Sequence, residues 1–227
     1  IDPRLTLLLF GLTVVNYALS RLITGSSTRR VRLLTTAGAI ALDLVVLGIF
    51  KYTAFLGESL NSLLRFAGRD TLPILRIVLP VGISFYTFKV ISYIVDVYRG
   101  RSPAARSLLD FACYVSFFPQ LLSGPIQRFG TIDAKGEIVP TFADQLRTRW
   151  RTPHTFSHGV ALFMLGFAKK ILLADGVAQV ADAVFAAASP GTLDAWFGAL
   201  AYSFQLYFDF SAYSEMAIGI GLMFGFD

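Results

Sequence analysis

Tyr202, Gln205, Asp209 and Tyr213 recur at helical spacing in the stretch YSFQLYFDFSAYSEMAIGIG (202–221), so on a helix they share one face. Ser211, Ser214 and Glu215 make a second polar stripe, a third of a turn or more away. Acids and amides set among aromatic rings can hydrogen-bond a substrate or border a wet cavity. Hydroxyls there, from Tyr207, Tyr213 or Ser211, can also donate to a carbonyl oxygen that gains negative charge. The plainer alternative is that these groups glue neighbouring helices together. Ionisable residues at membrane depth usually face a functional interior, which favours the cavity.

Other charges raise the same question. Tyr86, Lys89 and Tyr93 share a face in SFYTFKVISYIVDVYRG, and Asp96 lies one step further along it. Asp96 is two turns from Lys89, too far for a direct pair, so an acid from another helix such as Asp209 would serve. Asp43 sits in mid-helix, eight residues before Lys51. Lys169 and Lys170 lie deep for cations and are expected to snorkel or face a polar neighbour. His154 follows a proline in a basic loop, and His158 opens a helix. His154 reads as a surface residue and His158 has no serine, cysteine or acid at triad-like spacing, so neither is expected to be a catalytic base. A single cysteine, Cys113, rules out a disulfide framework, and the two histidines without HExxH argue against a metal site.

The elements that must position these residues read as membrane helices. The chain is 55% hydrophobic and only 15% charged, with 21 Phe in 227 residues and a mean hydropathy of +0.61. That composition predicts an all-α, polytopic membrane protein. Spans are expected over about 5–23, 33–56, 74–98, 156–174 and 193–225. Pro80 and Gly82 should bend or interrupt the third, and ESLNSLLRFAG after the second should lie in the interface. The apolar stretch 108–129 is broken by Pro119, Gly124 and Pro125 and is expected to be re-entrant. That topology puts the arginines of all three basic loops on the cytoplasmic side, as the positive-inside rule favours. The net charge of +5 is spread over loops, which points to membrane orientation and anionic lipid contact and away from nucleic acid. Gly221 and Gly225 form a Gly-xxx-Gly packing signature. No repeat or second domain is evident. The start IDPRL and the end FGFD suggest a single partial domain, 1–227, cut from a longer protein.

Three stretches together resemble the membrane-bound O-acyltransferase family: LPVGISFYTFKVISYIVDVYRG (79–100), FFPQLLSGPIQRF (117–129) and YSFQLYFDFSAYSEMAIGIGLMFGFD (202–227). GFAKKILLAD (166–175) and DPRLTLLLFGLTVVNYALSRLI (2–23) fit the same pattern. The likeness is greatest to the bacterial branch that acetylates alginate, and the branch that places D-alanine on teichoic acid is similar in plan. The resemblance implies a ring of helices around a tunnel that joins the cytoplasm to the outer face of the bacterial inner membrane. A cytoplasmic donor, acetyl-CoA or a similar carrier, would be a substrate and no cofactor would stay bound. The acyl group would pass to hydroxyls of an exported polysaccharide or cell-wall polymer, with a periplasmic or extracellular partner completing the transfer. Gln120, Ser123 and Gln127 would line the tunnel on the cytoplasmic side. Tyr202, Gln205, Asp209, Ser211, Tyr213 and Glu215 would wall it deeper in. The family's catalytic histidine is expected beyond Asp227.

Two other readings compete. A transporter or flippase for a lipid-linked or acyl substrate would also use buried acids and broken helices. It would be expected to show paired broken segments in an internal repeat, and none is visible. A non-catalytic scaffold subunit is the third.

Overall fold

In a computed structural model of the protein, the described residues are 3–74, 77, 80, 82–120, 124, 127–132, 138–139, 142, 144–145 and 152–226. Their regular structure is helical, apart from a two-residue antiparallel ladder that pairs Thr131 with Val139 and Ile132 with Ile138. Two compact units result, Ile1–Ser116 with Ile126–Ala143, and Phe117–Pro125 with Asp144–Asp227.

The first unit holds α1 (Pro3–Gly25), α2 (Arg29–Phe66), α3 (Ile83–Tyr98) and α4 (Leu108–Val115). Among the described residues, two helices are long and apolar enough to cross a membrane: α1 over Leu5–Gly25, and α2. α2 runs unbroken for 38 residues, so ESLNSLLRFAG is not set apart from the preceding apolar run but continues its helix to Phe66. α3 begins only at Ile83, after Gly82 at φ +78°. Its 16 residues span about 24 Å, short of a hydrocarbon core of about 30 Å. A left-handed turn at this position suits glycine, which has no Cβ to clash.

Burial follows the polar side chains as much as the apolar ones. Tyr93, Phe111, Tyr114, Phe129 and Phe142 are buried together. Tyr93 and Phe111 lie 4.7 Å apart between ring centroids, and Phe129 stands edge-on to both Tyr93 and Tyr114 at 5.2 Å. Edge-to-face pairs of this kind add to the stabilisation from area burial alone. The Tyr93 hydroxyl donates to Ser20 Oγ at 3.0 Å and accepts from the Ala105 amide at 2.9 Å. α1, the end of α3 and the loop after it are thereby tied at one end of the unit. Tyr17 adds a longer bond to the Arg106 carbonyl, at 3.4 Å.

The second unit is built on α5 (Pro153–Lys169), a π-helical turn (Lys170–Ala174), α6 (Asp175–Ala186) and α7 (Thr192–Met223). Thr152 caps α5: its hydroxyl accepts from the Thr155 amide while the Thr155 hydroxyl accepts from the Thr152 amide, both at 3.1 Å, with Pro153 opening the helix. This arrangement satisfies two amides that the helix start leaves without partners.

α5 and α7 approach so closely that their backbones touch through glycines. A Cβ on Gly159 would lie 2.6 Å from the Gly219 carbonyl oxygen, one on Gly219 would lie 2.6 Å from the Gly159 carbonyl, and one on Gly166 would lie 2.6 Å from the Ala212 carbonyl. Both pairs of positions are seven residues apart on their helices, two turns on the same face, which is the register of an antiparallel seam. The close approach therefore runs through Gly159, Gly166 and Gly219 rather than through the Gly221 and Gly225 motif. Gly225 lies past the helix end at φ +82°, and the Phe226 amide there donates to the Gly221 carbonyl at 2.9 Å, the closure that favours glycine after a helix.

Candidate functional site

The sequence-selected residues of α7 meet the end of α5 and the π turn. Lys169 Nζ donates to Ser211 Oγ at 3.0 Å and forms an ion pair with Glu215 Oε1. Lys170 Nζ lies 2.8 Å from Asp209 Oδ1 and 2.8 Å from Asp175 Oδ1. Consecutive residues of a regular helix point about 100° apart. Here two adjacent lysines engage α7 at positions 209, 211 and 215. The wider π turn beginning at Lys170 sets their register, and such turns recur at functional sites. The expected polar neighbours of both lysines are thus acids of α7.

The two pairs differ in setting. Lys169 and Glu215 are mostly shielded, whereas the Asp209 side chain is 51% exposed. Glu215 Oε2, Ser214 Oγ and Gln205 Oε1 are buried and have no hydrogen-bond partner among the described residues. Polar atoms left so are unusual in native interiors and carry a desolvation cost. Tyr202 is 46% exposed and packs edge-on against Phe185 at 5.8 Å. Tyr213 is half-buried.

Of the broken segment, Ser123 lies outside the described residues. Gln120 ends a short 3₁₀ turn (Phe118–Gln120). Gly124 is packed on that turn, where a Cβ would lie 2.6 Å from the Gln120 Cα. In the same unit Phe118 stands edge-on to Phe224 at 5.9 Å. In the first unit α4 stops after 8 residues, about 12 Å of helix. Gln127 offers its backbone carbonyl to the Tyr114 hydroxyl at 2.8 Å.

The charges of α2 and α3 find partners that spacing alone could not name. Asp43, 2% exposed, accepts from Asn16 Nδ2 at 2.8 Å. Lys51 is exposed beside the Tyr52 ring. Lys89 Nζ donates to the Tyr114 carbonyl at 2.6 Å and lies 4.2 Å from the centre of that ring. Asp209 is held by Lys170. Asp96 Oδ2 faces Arg128 Nε at 3.9 Å. Asn16 carries a single signal in the sequence, an amide in mid-span. His154 and His158 are exposed. No cluster of three or more histidine, cysteine or acidic side chains that could hold a metal occurs among the described residues.

No family model matches the chain. It is 48% identical over 223 residues to the "Probable alginate O-acetylase AlgI" of Pseudomonas aeruginosa, a match that covers 97% of this chain and 41% of that protein. It is 34% identical over 242 residues to the peptidoglycan O-acetyltransferase of Helicobacter pylori, covering 96% and 44%. A match to the teichoic acid D-alanyltransferase of Lacticaseibacillus rhamnosus is 30% identical over 149 residues, 65% of this chain and 36% of that protein. The chain spans about two fifths of the length of these curated relatives. Identity near one half across almost the whole chain makes it a homologue of the alginate O-acetylases and bears out its resemblance to the membrane-bound O-acyltransferases.

Proposed function

We propose that the protein to which this chain belongs is a membrane O-acetyltransferase of the bacterial inner membrane. It moves an acetyl group from a cytoplasmic thioester such as acetyl-CoA to hydroxyls of an exported polysaccharide, through a multi-pass ring of helices around a tunnel. The observation that carries this reading is the 48% identity over 97% of the chain to a protein described as an alginate O-acetylase. The apolar α1 and α2 and the ion-paired acids of α7 support a membrane setting with a polar interior.

The transfer needs no redox partner. The acceptor hydroxyl oxygen bonds to the acyl carbonyl carbon, its proton goes to a base, and the thiolate leaves and takes up a proton. The base is assigned to a histidine beyond Asp227, as the family resemblance implies, in the role of taking the acceptor proton. Within this chain, Gln205, Ser211, Tyr213, Ser214 and Glu215 border the path, and Lys169 and Lys170 hold the acids of α7 in place. The segment 108–129 re-enters the membrane on the donor side. A periplasmic protein receives the acyl group or presents the polymer.

The test is complementation. Deleting the full-length gene should remove O-acetyl esters from an exported polymer, and restoring it should return them. A strain whose polymers keep unchanged ester content after deletion would refute the proposal.

A further inference from the structure

We propose that the turn between α1 and α2 forms a binding site for a phosphate group, with Arg29 and Arg32 as its principal ligands. A cavity of about 320 Å³ there is lined by Ser27, Arg29, Arg32 and Tyr98. That size lies at the small end of pockets that take small ligands.

Arg32 is fixed in this cavity. Its Nη2 donates to the Tyr98 carbonyl at 2.8 Å, and its guanidinium carbon lies 5.6 Å from the centre of the Tyr98 ring. A carbonyl and a ring face position a guanidinium without neutralising it. Arg32 Nε is buried and has no hydrogen-bond partner among the described residues. Among those residues, the ion pairs involve neither Arg29 nor Arg32. A held cation with no carboxylate partner is complemented by an anion that presents several oxygens, and the planar arginine fork matches phosphate.

The backbone adds to the same preference. Thr28 caps α2 without a side-chain hydrogen bond, and the first turn contains no acid. The leading amides of a 38-residue helix therefore keep their affinity for negative charge. The turn joins two helices that are each long and apolar enough to cross a membrane, which sets it at the boundary where headgroup phosphates lie. Arg30 in the first turn of α2 and Arg99 and Arg101 after α3 add positive charge. The phosphate is either the diester of an anionic lipid or a group on a soluble molecule. The inference stands on this cavity and does not depend on the acyl-transfer reading.

The full-length protein in nanodiscs tests it in two arms. Native mass spectrometry counts phosphatidylglycerol retained by the wild type and by Arg29→Gln/Arg32→Gln. Calorimetry in zwitterionic nanodiscs measures binding of inorganic pyrophosphate to the same two proteins. Each arginine near an anionic group is worth about fivefold in affinity, so the double variant should bind the preferred probe about twentyfold to thirtyfold more weakly. Loss of phosphatidylglycerol identifies a lipid site, and loss of pyrophosphate a soluble one. Arg29→Gln alone, on an exposed side chain, should cost about fivefold and keeps the test open if the double variant fails to fold. Arg65→Gln, in the last turn of α2, should change neither arm. Equal binding of both probes by wild type and Arg29→Gln, or an equal loss in Arg65→Gln, would overturn the proposal.

Discussion

Lys169 and Glu215 make the most shielded ion pair among the described residues that bears on the proposed path, and Ser211 shares the same ammonium. A double-mutant cycle on Lys169→Met and Glu215→Leu should return a coupling of about 1–2 kcal/mol, at the upper end of polar contacts measured between membrane helices. The same cycle on Lys170 and Asp209, where the acid is half exposed, should return less than about 1 kcal/mol. Thermal unfolding of the full-length protein in detergent would measure both, and equal couplings would show that shielding does not rank these pairs. Asn16 and Asp43 offer a sharper case. Asn16→Leu leaves a buried carboxyl without its 2.8 Å partner and should destabilise by about 1–3 kcal/mol, while adding Asp43→Leu should restore part of that. The sequence revealed that Lys169, Lys170 and Asp43 required partners. It did not reveal which, because partner choice depends on how helices pack and on the π turn that sets the register of Lys169 and Lys170.

At the scale of elements, the seam between α5 and α7 rests on glycine. Gly159→Val or Gly219→Val would drive a side chain into backbone 2.6 Å away and should destabilise by more than about 2 kcal/mol, seen as a lower melting temperature and less protein in the membrane. Gly11→Ala, where a Cβ would meet nothing within 4 Å, should be close to neutral within this chain. A melting temperature unchanged in Gly219→Val would mean that the two helices do not meet there. Helix positions in this chain were largely legible from apolar runs, and the interruption ahead of Ile83 was legible from Pro80 and Gly82. The seam was less so: Gly221 and Gly225 formed the recognisable motif, whereas the contacts use Gly159, Gly166 and Gly219, whose pairing spans two helices and has no short-range signature.

At the scale of the whole molecule, the arginine pattern predicted that the loops after the first and third helices share one side. The contacts from Tyr93 to Ser20 and Ala105, and from Arg32 to the Tyr98 carbonyl, bring those ends together. Thiol labelling of Ser27→Cys and Arg99→Cys in a Cys113→Ala background should therefore give the same sidedness in intact cells, and opposite sidedness would reject the arrangement. The proposed chemistry depends on a wet path along α7. The most direct measurement is the reaction of Gln205→Cys and Ser214→Cys, in that same background of the full-length protein, with a small water-soluble thiol reagent. The account predicts that both positions react in the membrane and that acetyl-CoA slows them. Resistance at both sites in a protein that still acetylates its polymer would contradict it.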